Sequence, residues 1–249
     1  MKTKEEILFE EASIGRAVLS LVIPTIISQL ITVVYNMADT FFIGQIGDRN
    51  QVAAVSLCMP LFIFLTGFAN LFGIGGASLM ARSLGTGDHA KAKKTAAFSI
   101  WTAAAIALLY GVALFLLRGA VLPAIGSDEE TYDFCCQYLF WTITIGALPT
   151  VLNQTLAHLV RSEGHSSQAS FGVALGGILN IAFDPLFIFA FRLEIAGAAI
   201  ATMISNAISC GYYIILLLKK RNATDISFDP RNYTWKEGIP KEVFWVGFP

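Results

Sequence analysis

Apolar residues fall in six long blocks, 17–43, 52–80, 95–117, 134–159, 169–191 and 196–218, separated by short polar or charged segments. Each block exceeds the roughly 20 residues with which a helix crosses the hydrocarbon layer. Barrel strands would need blocks about half as long with strict alternation. The pattern predicts an all-α membrane protein, a bundle of six transmembrane helices. Pro24, Pro60, Pro149 and Pro185 lie inside four of the blocks, and each removes a backbone donor and predicts a kink. Gly73, Gly75 and Gly76 in the second block, with Gly172 and Gly176 in the fifth, predict close helix contacts.

Composition agrees: 55% hydrophobic and 14% charged residues with a mean hydropathy of +0.63 exclude an ordinary soluble domain. The first block is not a cleavable leader, because it is too long, follows Glu5, Glu6, Glu10 and Glu11, and lacks a small-residue cleavage site. Cys58, Cys135, Cys136 and Cys210 lie in apolar blocks without metal-ligand spacing and read as packing residues.

The net charge of −1 conceals a vertical asymmetry. The N-terminus, the loops after blocks 2 and 4 and the tail after block 6 carry 3, 4, 1 and 6 Lys or Arg, against one each (Arg49, Arg118, Arg192) in the opposite loops. By the positive-inside rule both ends are cytoplasmic, in a multi-pass protein of the plasma (cell inner) membrane. The balance gives no support for nucleic-acid binding.

The segment Arg16–Pro24, RAVLSLVIP, is echoed by Lys241–Pro249, KEVFWVGFP, each after a hydrophilic stretch. That is where the second half of a transporter built from repeats begins. The expected organisation is a cytoplasmic N-terminus (1–16), a six-helix lobe (17–218), a cytoplasmic inter-lobe linker (219–240) and the start of a seventh helix (241–249). A second echo, ARSLGTGD from Ala81 and VRSEGHSS from Val160, predicts helix ends with Arg82 and Arg161 at the interface and left-handed caps at Gly85 and Gly164.

Asp39 and Asp184 are the only acids inside the six blocks. Asp39 lies five residues before Gly44, Asp184 eight before Arg192, and Thr202 five after Gly197, depths of about 7, 12 and 7 Å at ~1.5 Å per residue. Asn180, four residues before Asp184, shares its helix face. A carboxylate facing lipid would cost up to about 3.5 kcal/mol, so both acids should face a partner or a cavity. Two acids in one site favour one bound proton. Alternatively, two carboxylates, an amide oxygen and a hydroxyl are hard oxygen ligands suited to Na+. Tyr35, Asn36 and Asn153 are candidates for a supporting polar network, and Pro24 and Pro185 for the flexible points. His158 reads as a packing residue, and Phe62, Phe64, Phe68 and Phe72 as either a ring-lined cavity wall or ordinary helix contacts.

Several segments resemble the multidrug and toxic compound extrusion (MATE) family: Pro24 with NMADTFFIGQIG from Asn36, LMARSLGTGDHAKAKK from Leu79, the stretch from Asn153 ending in LVRSEG, NIAFDP from Asn180, and GAAIATMISN from Gly197. The resemblance spans essentially the whole chain. It implies the N-lobe of a twelve-helix transporter that exports organic cations and other drugs in exchange for H+ or Na+, with no enzymatic step and no cofactor beyond the coupling ion. It further implies a cation or proton site at Asp39, Asn180, Asp184 and Thr202, and a C-lobe of the same polypeptide as partner.

Two other classes fit the helix count. A lipid-linked precursor flippase would need a basic central cavity, and no Arg or Lys stands at mid-membrane. An intramembrane aspartyl protease would also use two membrane acids, but Asp39 follows Ala38 and Asp184 stands in FDP, without the YD and GxGD motifs of such enzymes.

Overall fold

The computed structural model of the chain describes residues 14–248, apart from the side chains of Ile14, Arg16, Ala17 and Leu21. The acidic N-terminal residues and Pro249, and with them parts of both copies of the repeated nonapeptide, lie outside the described residues. The described residues contain helices and no strand: α1 (Ile14–Gly44), α2 (Arg49–Gly85), α3 (His89–Ala124), α4 (Tyr132–Leu139), α5 (Ala147–Ser162), α6 (Ser166–Pro185), α7 (Glu194–Lys219) and α8 (Ile239–Gly247). Five of them are long and apolar enough to cross a membrane, and α4 with α5 forms a sixth span bent by 49°.

The helices overrun the apolar blocks because their stop signals lie outside them. α2 starts behind Asp48, whose carboxylate accepts from Asn50 N at 2.9 Å, and α3 behind Asp88, which accepts from Lys91 N at 2.9 Å. Each side chain satisfies a backbone donor that the first turn leaves open. One cap differs from expectation: Gly85 remains the last residue of α2, and Gly87 takes the left-handed conformation (φ 77°). At the equivalent end of α5, Gly164 does adopt it (φ 84°).

The expected kink at Pro149 occurs three residues earlier. A π-helical segment, Phe140–Ile145, leads to the break at Gly146. Pro149 stands in the first turn of α5 and cannot return a hydrogen bond to the carbonyl of Ile145, so the disturbance lies in the preceding turn. Pro185 acts likewise: it ends α6, cannot donate to Ile181, and is followed by a π-helical turn, Leu186–Ala190.

Lipid tails are as apolar as leucine, so close backbone approach and polar contacts, more than burial, hold such bundles together. The glycine triplet of α2 shows this on three sides. A Cβ at Gly73 would lie 2.8 Å from the His158 ring on α5, at Gly75 2.1 Å from the carbonyl oxygen of Val243 on α8, and at Gly76 2.1 Å from Ser99 Oγ on α3. On the other side of the bundle, Gly172 of α6 admits the ring of Tyr213, whose hydroxyl donates to Ala169 O at 2.5 Å. His158 is thus a packing residue against α2. The phenylalanines of α2 do not share a wall: Phe72 is buried between Phe98 and Phe244, Phe68 meets Tyr110, and Phe64 is exposed. In contrast to α2, α1 packs along α6 and leaves Val33, Val34, Met37 and Phe41 exposed.

The segment between α7 and α8 is fastened to the bundle. Glu163, buried at the end of α5, accepts from Thr224 Oγ1 at 2.7 Å and Asp225 N at 2.6 Å. Asp225 meets His89 Nδ1 at 2.7 Å and Lys93 Nζ at 3.6 Å. Trp101 Nε1 donates to Phe228 O, and Tyr233 stacks on Phe98. Arg82 and Lys91 both pair with Glu242 of α8, so Arg82 is an inter-helix contact in addition to an interfacial anchor. Burial raises the Glu163 carboxyl above the usual range against the opposing pull of its hydrogen bonds. Its folded value being raised, its contribution to docking is fullest at acid pH and declines as pH rises through that value. Glu163→Ala should strand Thr224 Oγ1 and Asp225 N at a cost of about 1–3 kcal/mol. Limited proteolysis between residues 219 and 238 should accelerate accordingly, and unchanged cleavage would contradict this fastening.

Candidate cation-binding site

The interior acids lie where three helices meet. Asp184, fully buried, and Asn180, one turn before it, share the inward face of α6. Asn180 Nδ2 donates to Thr202 Oγ1 of α7 at 3.2 Å and reaches Asp184 Oδ1 at 3.4 Å. The chain continues through α7: Asn206 Nδ2 donates to the Thr202 carbonyl at 3.0 Å, and its Oδ1 accepts from Asn153 Nδ2 of α5 at 2.9 Å. α6, α7 and α5 are thereby connected by side-chain hydrogen bonds at the level of the acids.

Asp39 comes from α1, near enough for its charge to act on Asp184. α1 can approach because Gly177 has no side chain; a Cβ there would lie 3.0 Å from the Tyr35 ring and 3.1 Å from Ile31. Ser28 and Ser170 hydroxyls, 3.4 Å apart, join the same two helices nearer their other ends. Tyr35 therefore packs on α6 within the field of Asp39. Asn36 is exposed on α1, and its carbonyl accepts from Thr40 Oγ1; the described hydrogen bonds do not connect it to the group.

Two members of this neighbourhood are not among the residues expected from sequence. Asn206 bridges Thr202 to Asn153, and its position four residues after Thr202 on an apolar helix was an available sign. Tyr138 of α4 is buried within the fields of both Asp39 and Asp184; nothing in its local sequence marks it, since both acids are distant along the chain.

The chemistry of the unpaired atoms is one-sided. Asp39 Oδ1, Asp184 Oδ2 and Asn180 Oδ1 are buried and accept no hydrogen bond. Buried acceptors without donors cost about 1–3 kcal/mol each, more when charged, and all three would be satisfied by a proton or a small hard cation. The donors here are two carboxylates, an amide and a hydroxyl, with no thiolate or imidazole among them. This set fits an alkali cation bound by carboxylate, amide and hydroxyl oxygens.

The MatE family profile matches residues 24–186, a stretch that runs from Pro24 within α1 to the Pro185 break at the end of α6 and contains both acids. The chain belongs to the MatE family. Members of this family are transporters, not enzymes. The chain is 32% identical over its full length to multidrug export protein MepA of Staphylococcus saprophyticus and 30% to MepA of Staphylococcus haemolyticus, covering 54% of each. A crystal structure of MATE in complex with MaD3S superposes with a TM-score of 0.91 at 26% identity, over 100% of this chain and 55% of that one. The chain thus spans about half the length of the relatives it matches and corresponds to the N-terminal half of a MatE transporter, a multi-pass membrane protein.

Proposed function

We propose that this chain is the N-lobe of a secondary multidrug antiporter that exports organic cations and other xenobiotics across the plasma membrane in exchange for H+ or Na+, with the N-terminus in the cytoplasm. The observation that carries the reading is the set of three unpaired acceptor oxygens, on Asp39, Asn180 and Asp184, where α1 meets α6. The multidrug exporters among its relatives support the substrate class.

In the proposed cycle Asp39, Asp184, Asn180 and Thr202 take the coupling ion. Neutralising the carboxylates removes the repulsion that separates α1 from α6. α1 is the element free to respond, being packed mainly on α6 and carrying Pro24 within its span. An ion that binds the closer arrangement of α1 more tightly than the other shifts the balance between them, and no coupling arises without that difference. A flippase reading is disfavoured by the acidic character of this site, which lacks the basic lining a lipid pyrophosphate would need.

The ion is tested in proteoliposomes of the full-length protein. Drug movement should accelerate when either an inward H+ gradient or an inward Na+ gradient is imposed. Equal rates with neither, one or both gradients would refute ion coupling.

A further inference from the structure

A groove of about 440 Å3 lies between the last turns of α3 and the first turns of α4, at the end of the bundle that carries the loop 125–131, and neither acid lines it. Its wall is apolar and aromatic, with Leu114, Phe115, Phe140 and Trp141. The neighbouring Leu116 and Leu117 are 73% and 56% exposed, so the groove lies on an apolar face of this chain. Two charged side chains of opposite sign, Arg118 and Asp133, stand in the same groove.

Arg118 is folded back against its own helix. Its guanidinium lies 4.3 Å from the centre of the Phe115 ring and donates to the Phe115 carbonyl at 3.2 Å. Among the described residues it forms no ion pair with a carboxylate. A guanidinium held in place with donors to spare is a ready phosphate ligand. Asp133 is exposed in the first turn of α4 and offers acceptors only. The charge of this end of the bundle decides between headgroups: Asp128, Glu129 and Glu130 stand in the loop that leads into α4, and no Lys or Arg occurs from 119 to 160. Hydrogen bonds from Thr131 hold the Asp128 carboxyl below the usual carboxylate range. A headgroup with net negative charge meets one cation and several carboxylates, whereas one that joins a phosphate to a primary ammonium matches both Arg118 and Asp133.

We propose that this groove holds a glycerophospholipid with a phosphoethanolamine headgroup, its phosphate on Arg118, its ammonium on Asp133 and its upper acyl carbons along Phe115, Phe140 and Trp141. The volume suits a headgroup and the start of the chains, so one lipid is bound at the leaflet boundary with its tails in the bilayer.

The test is native mass spectrometry of the full-length protein, purified in mild detergent and incubated with dioleoyl phosphatidylethanolamine, phosphatidylcholine or phosphatidylglycerol. The ethanolamine lipid should be retained most. Arg118→Gln should lower its retention about tenfold, the scale of losing one charge-assisted contact, and Arg118→Lys should recover part of it. Asp133→Asn should abolish the preference over phosphatidylcholine, which lacks ammonium hydrogens, while leaving total lipid retention nearly unchanged. Thermal unfolding in lipid-free detergent identifies any variant whose loss is one of folding, and the Lys variant then carries the comparison. Equal retention of the three lipids by the unaltered protein, or unaltered retention in Arg118→Gln, would overturn the proposal and leave the groove to bulk lipid or to the rest of the polypeptide.

Discussion

Asp184→Asn in the full-length transporter should lower ion-driven drug efflux by roughly 5- to 150-fold, the span of typical coupling free energies, while leaving the protein folded and in the membrane. Asparagine keeps the shape and can still accept from Asn180, whose amide lies 3.4 Å from Asp184 Oδ1. It removes the charge that an ion could neutralise and exchanges one acceptor oxygen for an NH2 donor. Asp39→Asn should have the same direction and a smaller effect on stability, because Asp39 is half-buried whereas Asp184 is fully buried. Folding should tolerate both changes or improve, since each removes a charge that no cation offsets among the described residues. A structural role would show the opposite pattern, loss of stability with efflux per folded molecule intact. Efflux and thermal stability measured on the same preparations separate the two.

The second large effect is expected far from the acids. Gly75→Ala should destabilise the full-length protein, because the new Cβ would lie 2.1 Å from the carbonyl oxygen of Val243 and 3.2 Å from Gly247 N. The contact is reciprocal: a Cβ at Gly247 would lie 2.0 Å from the carbonyl oxygen of Leu71. Backbone faces backbone on both helices, so no side chain can rotate away, and α8 must leave α2. Overpacking of this kind costs about 1–3 kcal/mol, occasionally more. Gly67 on the same helix has nothing within 4 Å of its Cβ position, so Gly67→Ala should be neutral or gain up to ~1 kcal/mol from helix propensity. Thermal unfolding of the two variants checks the contrast, and equal midpoints would contradict the proposed seam between α2 and α8.

Much of this architecture was legible before any coordinates. The apolar blocks locate all six spans, because a helix in lipid must be apolar for its whole crossing and polar at its ends. Their exact limits were not legible, since Asp48 and Asp88 set them by capping donors outside the apolar runs. The sequence predicts the break in the fourth span at Pro149, yet the strain of a missing donor falls on the turn before a proline, and it emerges at Gly146. The acids were conspicuous because a membrane charge is rare and costly. Asn180 follows from helical spacing, but the place of Tyr138 depends on how α4 packs against α2 and α7, which no local pattern encodes. The roles of Gly73, Gly75 and Gly76 as a triple contact were only partly visible: sequence marks small residues, and the fold alone tells which neighbour each one meets.

The claim on which the rest depends is that Asp39 and Asp184 take up the coupling ion. Difference infrared spectroscopy of the full-length protein in bilayers, recorded as pH is lowered and then as Na+ is added, observes carboxyl protonation directly. The expected result is a component of the protonated-carboxyl band that grows on acidification, shrinks when Na+ is supplied and is missing from the Asp39→Asn, Asp184→Asn double variant, whose remaining band comes from other carboxyls and does not respond to Na+. Spectra of the double variant identical to those of the unaltered protein, under acid and under Na+ alike, would contradict it.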